Sequence, residues 1–229
     1  MAQENADSIV ICKNAAFGYE GHSVIRDISF EVRRGDYLYI TGENGSGKST
    51  LLKGILRLAN PISGRISFSP EIQNGGAGYL AQQEAAKKDF PASAGEIVLS
   101  GFAGKMGLRP FYLRREKEAA LENMRRLEVS DLKERCFREL SGGQQRRVLI
   151  ARALCAAGAF GVSGSLLVLD EPAAGLDPSA SAVLYELLDG INKNGMTIIS
   201  VTHDIQAAER FASRIMQIKD GLCFLRENK

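Results

Sequence analysis

The loop at residues 42–50 constrains the fold of this chain more than any other segment. It reads Gly-Glu-Asn-Gly-Ser-Gly-Lys-Ser-Thr and matches the pattern G-x-x-x-x-G-K-[ST]. Residues 37–40 before it are apolar, as in a buried strand, and leucines and isoleucines after it, from Leu51 to Leu58, recur at helical spacing. Strand, loop and helix in this order predict an α/β fold with a nucleotide site.

Each residue type of the loop suits the binding of phosphate. The glycines permit a tight turn whose main-chain N–H groups point at phosphate oxygens. Lys48 would reach the β- and γ-phosphates, and the Ser49 hydroxyl would ligate Mg²⁺. The helix predicted to begin near Lys48 adds its positive N-terminal end. A plain Gly/Ser-rich connector is the alternative. The expected nucleotide-binding residues of the loop are Gly42, Asn44, Gly45, Ser46, Gly47, Lys48, Ser49 and Thr50.

A second element, residues 166–171, adds two carboxylates. The run Leu-Leu-Val-Leu is apolar throughout and predicts a strand at the centre of a parallel sheet, buried on both faces. Ligands bind at the carboxyl ends of such strands, where Asp170 and Glu171 stand. Asp170 suits the coordination of Mg²⁺, and Glu171 is placed to act as general base toward the attacking water. The alternative is a strand that merely ends in solvated acids.

Length and composition exclude several classes of protein. The chain has 229 residues, 45% apolar and 24% charged, which suits a globular domain. A net charge of +2 does not support a nucleic-acid partner. The four cysteines are scattered, which favours buried thiols over disulfides or a zinc site. The polar start of the chain lacks a signal peptide, and no apolar run is long enough to span a bilayer, so we expect a soluble, cytoplasmic chain.

The pattern along the chain divides it into two regions. Residues 9–40 are β-rich, and further strands are predicted at 65–68, 79–82, 166–170 and 197–202, with an amphipathic helix at 180–192 between the last two. From about residue 95 to 157 the pattern is helical. We therefore predict one domain over residues 1–229. Its β-rich core comprises residues 1–94 and 158–229, and a helical subdomain is inserted at about 95–157.

The five residues at 140–144, Leu-Ser-Gly-Gly-Gln, complete a recognisable set. Together with the loop at 42–50 and the carboxylates at 170–171, they make the chain resemble the ATP-binding cassette, the nucleotide-hydrolysing subunit of ABC transporters. The resemblance extends from Phe17 to about Gly221. It implies ATP hydrolysis with Mg²⁺. It also implies a core with a mainly parallel sheet, an N-terminal antiparallel β subdomain and an inserted α-helical subdomain.

The resemblance also implies roles for individual residues. The catalytic set would be Glu171, Gln82 and the switch histidine His203, while Tyr19 would stack on adenine. The Mg²⁺ ligands would be Ser49, Gln82 and Asp170. Gln82 departs from the family because Gln83 adjoins it and Ala81 replaces the usual proline; for Tyr19 the alternative is core packing. The residues that would meet the nucleotide or the surface of a second, head-to-tail copy are Ser141, Gly142, Gly143, Gln144 and, in the D-loop, Asp177.

The cargo is inferred from residues 89–91 and 96–109, which are similar to the cassettes of zinc, manganese and iron importers. This region would receive a coupling helix of an integral-membrane permease at the cytoplasmic face of the membrane, and an extracytoplasmic substrate-binding protein would deliver the metal. A solvated helical face is the alternative for its basic residues. Two other functions stay open: a soluble cassette in iron–sulfur cluster assembly, and import of an iron chelate. Between the signature at 140–144 and Asp170 the chain is about six residues longer than most members of the family, near residues 156–165, and these extra residues suggest no function.

Overall fold

Two β-sheets form the framework of the computed structural model, which describes residues 7–19, 22–82, 91–158 and 165–228. In chain order the strands are β1 (Ser8–Tyr19), β2 (His22–Arg33), β3 (Tyr37–Gly42), β4 (Ser63–Phe68), β5 (Ala77–Leu80), β6 (Leu166–Asp170), β7 (Thr197–Val201), β8 (Arg214–Lys219) and β9 (Leu222–Glu227). The helices are α1 (Lys48–Ile55), α2 (Pro70–Gln73), α3 (Ala94–Leu99), α4 (Arg114–Arg126), α5 (Gly142–Ala156), α6 (Pro178–Lys193) and α7 (Ile205–Phe211). Short 3₁₀ turns occupy Ser100–Lys105, Ser130–Leu132 and Phe137–Glu139.

The larger sheet has the strand order β5-β6-β7-β3-β8-β9, and only its β8–β9 pair is antiparallel. Every residue of β6 and β7 is buried, as expected for strands covered on both faces; β6 is apolar up to Asp170, whereas β7 also contains Thr197 and Ser200. In the register of the sheet, Val201 of β7 pairs with Ile40 of β3 on one side and with Asp170 of β6 on the other. The chain segments that follow these three strands therefore leave the sheet side by side, at one edge.

The smaller sheet is antiparallel, with the order β2-β1-β4. Helix α1 packs between the two sheets, and its Leu51 and Ile55 share a buried cluster with Phe17 of β1 and Ile25 of β2. At Gly54 an added Cβ would lie 2.4 Å from the Phe17 ring, so α1 approaches β1 closely there. The predicted mainly parallel core and antiparallel β subdomain are thus confirmed.

Helices α3, α4 and α5 form the inserted helical region. Their core includes Val98 of α3, Met124 of α4 and Leu154 of α5, all buried. Helix α5 also packs on β5, where a Cβ at Gly78 would lie 1.9 Å from the Ala153 carbonyl oxygen. Because α5 contacts both regions, it joins the helical insert to the parallel sheet. The division of the chain at residues 95 and 157 stays a prediction. None of the helices in the described ranges is long and apolar enough to cross a membrane.

Some predicted elements were wrong in their extent. Helix α1 ends at Ile55, because Arg57 takes a left-handed conformation (φ 61°) and turns the chain, and Leu58 is 69% exposed. Strand β5 spans Ala77–Leu80, so Gln82 lies beyond the strand and is exposed. The helix predicted at 180–192 begins earlier, at Pro178. Helix α7 and the β8–β9 hairpin were not predicted. Residues 83–90 and 159–164, which include the predicted Asp89-Phe90 contact and much of the extra loop, lie outside the described residues.

Candidate nucleotide site

The phosphate-binding loop connects β3 to α1, as predicted. Gly42 has a φ of 152°, and a Cβ there would lie 2.5 Å from the carbonyl oxygen of Ile218 and 2.7 Å from Ser46 Oγ. Gly47, at the start of α1, has a left-handed φ of 104°. Only glycine fits both positions without strain. Ser46 Oγ is buried and has no hydrogen-bond partner among the described residues, so the loop holds a polar atom that a bound phosphate could satisfy.

Lys48 lies under this loop and is 7% exposed. Its Nζ donates hydrogen bonds to the carbonyl oxygens of Gly42, at 2.9 Å, and Glu43, at 2.8 Å. Burial lowers the pKa of Lys48, and the nearby charges of Glu171 and Asp170 oppose that effect. The ammonium group of Lys48 therefore lies against the main chain of the loop, with the carboxylates of Asp170 and Glu171 close by. Ser49 follows it in the first turn of α1 and is exposed.

Asp170 is the last residue of β6 and is only 5% exposed. Burial raises its pKa, and the negative charge of Glu171 acts in the same direction. Tyr79 of β5 stands beside this carboxylate, and the pKa of its hydroxyl is raised by burial and by Asp170. A buried carboxylate in this state favours a cation next to it.

Glu171 is where the three predicted catalytic residues meet. The Nε2 atom of Gln82 donates to Glu171 Oε2 at 3.1 Å, and the Nε2 atom of His203 lies 3.1 Å from Glu171 Oε1. Each residue follows a different strand: β5, β6 and β7. Glu171 itself has a left-handed φ of 48°, and its N–H donates to the Val201 carbonyl at 3.0 Å. The edge of the parallel sheet thus brings together side chains separated by up to 121 residues in the sequence (203 − 82).

His203 is placed by the turn that leads into α7. The N–H of Thr202 donates to the Ile40 carbonyl at 3.2 Å, which fixes the turn to β3. The N–H of Asp204 donates to Thr202 Oγ1 at 3.0 Å, and the Asp204 carboxylate caps α7 by accepting from the N–H of Ala207. The histidine side chain is 46% exposed, so it can contact a ligand and Glu171 together.

Tyr19 lies at the surface beside α1. It is 51% exposed, which rules out the alternative of core packing. Lys53 Nζ donates to its hydroxyl at 3.1 Å and lies 5.2 Å from the ring centroid, and Thr50 Oγ1 is 3.5 Å from the same hydroxyl. These hydrogen bonds lower the pKa of Tyr19. The helix that begins at the phosphate loop therefore also orients this aromatic ring.

Residues 141–144 form the start of α5 and lie apart from the phosphate loop. Ser141 Oγ accepts from the Gln144 N–H at 3.3 Å, and Gln144 Oε1 accepts from the Ser141 N–H at 3.0 Å, so the two residues form a capping box. They line a cavity of about 330 Å³ together with Asp177, whose carboxylate caps α6. A second cavity, of about 430 Å³, is lined by the phosphate loop and by residues 217–221, and the two cavities share no lining residue.

One buried charge at the site was not predicted. Arg146 of α5 is 3% exposed, and its Nη2 donates to the main-chain oxygen of Glu171 at 2.8 Å. The sequence signal was available: Arg146 precedes the buried Ile150 by four residues and so lies on the core face of the helix. Burial lowers its pKa, against the attraction of Glu171 and Asp170.

The comparison with known proteins agrees with this geometry. The family described as ABC transporter matches residues 25–174. The zinc uptake system ATP-binding protein ZurA of Listeria innocua is 35% identical over 225 residues, covering 95% of this chain and 85% of that protein. The manganese transport system ATP-binding protein MntB of Bacillus subtilis is 35% identical over 206 residues, covering 89% of this chain and 80% of that protein.

A solved structure gives the same result for the fold. The dimeric ATP-binding cassette MJ0796, in a post-hydrolysis state bound to ADP and Pi, superposes with a TM-score of 0.77 at 27% identity. The match covers 96% of this chain and 99% of that one. The resemblance inferred from the sequence is therefore confirmed, together with nucleotide binding and hydrolysis. This chain belongs to the ABC transporter family and is the ATP-binding and ATP-hydrolysing subunit of such a transporter.

Proposed function

We propose that this ATPase subunit energises the import of a divalent metal ion. The observation that carries the proposal is the similarity to ATP-binding proteins named for zinc uptake and manganese transport, which extends over 95% and 89% of the chain. In this proposal the subunit lies at the cytoplasmic face of the membrane, bound to an integral-membrane permease. An extracytoplasmic substrate-binding protein hands the metal to that permease, and no nucleic acid takes part.

Hydrolysis begins with the phosphate loop. ATP lies with its phosphates against the N–H groups of residues 42–50 and the positive end of α1, and Lys48 exchanges its two carbonyl partners for β- and γ-phosphate oxygens. Because Lys48 exchanges hydrogen bonds without losing any, this movement is inexpensive. The adenine stacks on the exposed ring of Tyr19, which Lys53 and Thr50 hold in place.

Glu171 acts as the general base. It accepts the proton of the attacking water, while Gln82 and His203 fix the direction of its two carboxylate oxygens. His203 also contacts the γ-phosphate, so the same histidine touches both the general base and the phosphate that is attacked. The left-handed backbone of Glu171 is the kind of strain that persists where surrounding contacts over-determine a functional residue.

The residues present fit Mg²⁺. Ser49, Asp170 and Gln82 offer a hydroxyl, a carboxylate and an amide oxygen, which are the hard oxygen donors that this ion prefers. The described residues contain no group of three or more His, Cys, Asp or Glu that could hold a metal by themselves, in keeping with an ion bound mainly by phosphates and water. When bound, Mg²⁺ neutralises charge on the β- and γ-phosphate oxygens.

A second copy of the chain completes the site. Gly142 and Gly143 form the first turn of α5, where glycine weakens a helix, yet a Cβ at either position would meet no atom of the described residues closer than 3.5 Å. Internal packing therefore does not require glycine at these positions. A close approach from outside does, and a γ-phosphate bound by a head-to-tail partner supplies one. Ser141, Gln144 and Asp177 line the same cavity, so they join this contact.

The permease docks on the helical region. A cavity of about 600 Å³ there is lined by Phe102, Lys105, Arg109, Arg115, Glu116, Glu118, Ala119 and Gly158. Leu108 is fully exposed and Phe111 is 79% exposed in the same segment. Basic residues along a cavity, with exposed apolar side chains beside them, are more typical of a surface that binds a protein partner than of a plain solvated helix face. This segment is the part of the chain that sequence similarity links to metal importers.

The first experiment tests the catalytic assignment. Glu171→Gln should abolish ATP turnover and leave an ATP-bound dimer that elutes earlier than the parent protein in gel filtration. The control is Glu171→Gln combined with Lys48→Ala, which should stay monomeric because it cannot hold the phosphates. Turnover at the parent rate in Glu171→Gln would show that another group is the base.

The second experiment tests the cargo. The full complex with its permease, in proteoliposomes, should hydrolyse ATP faster when Zn²⁺ or Mn²⁺ is supplied on its substrate-binding protein. Stimulation by a ferric chelate instead would assign the iron-chelate alternative. A chain that co-purifies with soluble cluster-assembly proteins, and with no permease, would support the soluble alternative.

A further inference from the structure

Arg146 occupies an unusual position between two functional segments. It lies in α5, which begins at the signature residues 141–144, and its guanidinium points away from them into the chain's own core. There Nη2 donates to the main-chain oxygen of Glu171, at 2.8 Å. The side chain thus spans from the helix that faces the partner's nucleotide to the main chain of Glu171, whose carboxylate serves this chain's own nucleotide.

The main chain of Glu171 depends on such a contact. Its left-handed conformation is disfavoured for a residue with a side chain. The contacts that hold its main chain are the Val201 carbonyl on its N–H and, on its oxygen, the N–H of Ala174 at 3.1 Å together with Arg146. Arg146 is the only side chain among these partners, and the only one that comes from α5.

The cost of burying Arg146 argues against a purely structural role. Its Nη1 atom is buried and has no hydrogen-bond partner among the described residues, although a guanidinium has five N–H donors to satisfy. An apolar side chain or a glutamine would fill the space with less desolvation. The charge is useful here only because Glu171 and Asp170 lie near enough to attract it.

We propose that Arg146 is a positioning residue, which fixes the main chain of Glu171 and so ties the signature helix to the general base of the same chain. The proposal rests on the role of Glu171 proposed above. When α5 shifts on meeting the partner's nucleotide, the hydrogen bond carries that shift to the carbonyl of Glu171. The base is then correctly directed only when the signature is engaged.

The experiment uses the full chain with Mg²⁺ and ATP, and measures single-turnover hydrolysis and ATP affinity separately. Arg146→Met removes every donor, Arg146→Lys keeps the positive charge and an N–H donor group, and Arg152→Met is the control. Arg152 lies on the same helix, is exposed, and donates to Ser100 Oγ at 3.0 Å. Because displacement of a catalytic group by about 1 Å can cost about a hundredfold in rate, we expect Arg146→Met to slow hydrolysis by about ten- to a hundredfold. ATP affinity should stay within about twofold, Arg146→Lys should recover most of the rate, and Arg152→Met should match the parent.

The decisive comparison repeats the substitution in Glu171→Gln. Because Glu171→Gln stops turnover, the quantity measured in that background is the ATP-bound dimer; if Arg146 acts through the base, Arg146→Met leaves that dimer intact. Loss of the dimer in that background, or weaker ATP binding with an unchanged rate in the parent background, would overturn the proposal. If Arg146→Met does not fold, the same cycle is measured with Arg146→Lys and Arg146→Gln. Parent-rate turnover by Glu171→Gln alone would instead refute the assignment of the base.

Discussion

Replacing the two signature glycines by alanine should stabilise the folded chain and abolish its ATP-driven dimer. Gly142 and Gly143 occupy the first turn of α5 in ordinary helical conformation. A Cβ at Gly142 would lie 3.9 Å from Leu176 Cδ2, and one at Gly143 would lie 3.5 Å from the Cβ of Ala180. Both distances are normal van der Waals contacts, so neither alanine is strained within one chain. In the proposed head-to-tail dimer, the same two methyl groups would occupy space that the partner's γ-phosphate requires.

The gain in stability can be estimated from helix propensity. Alanine is better than glycine inside a helix by roughly 0.5–1 kcal/mol, and the first turn lies at the low end of that range. The double variant should therefore be about 1 kcal/mol more stable, which for a domain of this size raises the melting temperature by about 2–4 °C. The matched control is Gly190→Ala in α6, where no neighbouring group in the described part of the chain lies within 4 Å of the added Cβ. It should bring a similar gain without affecting activity.

The assay pairs thermal unfolding of the nucleotide-free protein with gel filtration in ATP, in the Glu171→Gln background that traps the dimer. We expect a higher melting temperature and a monomer for the Gly142→Ala, Gly143→Ala double variant, and a higher melting temperature and a dimer for Gly190→Ala. A lower melting temperature in the double variant would show that the glycines are required inside the chain. A stabilised variant that still dimerises would show that no partner approaches them.

Three further predictions concern stability, pH and nucleotide affinity. Arg214→Met should lower the free energy of unfolding by about 3 kcal/mol in urea titrations, because it removes the guanidinium that pairs with Asp36 at 3.0 Å; the Asp36 side chain is only 12% exposed and then keeps the neutral Arg33 N–H as a donor. Adding Asp36→Asn should restore part of the loss. Since burial raises the pKa of Asp170, ionisation of this carboxylate opposes folding above its folded-state pKa. Asp170→Asn should therefore be more stable than the parent at pH 8, and urea titrations should show the difference vanish as the pH falls to about 4. Tyr19→Ala should weaken ATP binding by about tenfold, which is the order expected for the loss of one base–aromatic stack, while Tyr19→Phe should bind ATP like the parent. Because the ring is 51% exposed, calorimetry should show no change in melting temperature for either variant.

The parts of the fold that the sequence predicts are those in which local pattern and global environment agree. Strands β6 and β7 are buried on both faces and have mainly apolar sequences, and the phosphate loop has a spacing that few other structures share. The end of α1 was missed because a left-handed residue with a side chain, Arg57, has no reliable sequence signal. The β8–β9 hairpin was missed because its outer strand is an edge, half exposed and mixed in composition.

The site shows the same distinction at the level of single residues. Sequence motifs predicted Gln82, Glu171 and His203 individually, but only the register of three parallel strands shows that two of them hold the third. Arg146 was not predicted because the apolar residues of α5 do not form one clear stripe, so the pattern does not mark strongly which face a charged residue lies on. A contact to a main-chain oxygen 25 residues away leaves no trace in the sequence.

The places where this chain departs from good local design lie along one path. Gly142 and Gly143 weaken the start of a helix, Arg146 places a charge in the core, and Glu171 holds a left-handed backbone. Each departure costs stability, and sequences keep such costs mainly where function requires them. Taken in order, the three departures lead from the surface that we propose faces a second copy, through α5, to the proposed general base. A chain selected only for stability would place alanines at the first position, an apolar residue at the second and glycine at the third. In our proposal, the costs therefore mark the route by which binding at one nucleotide site affects the other.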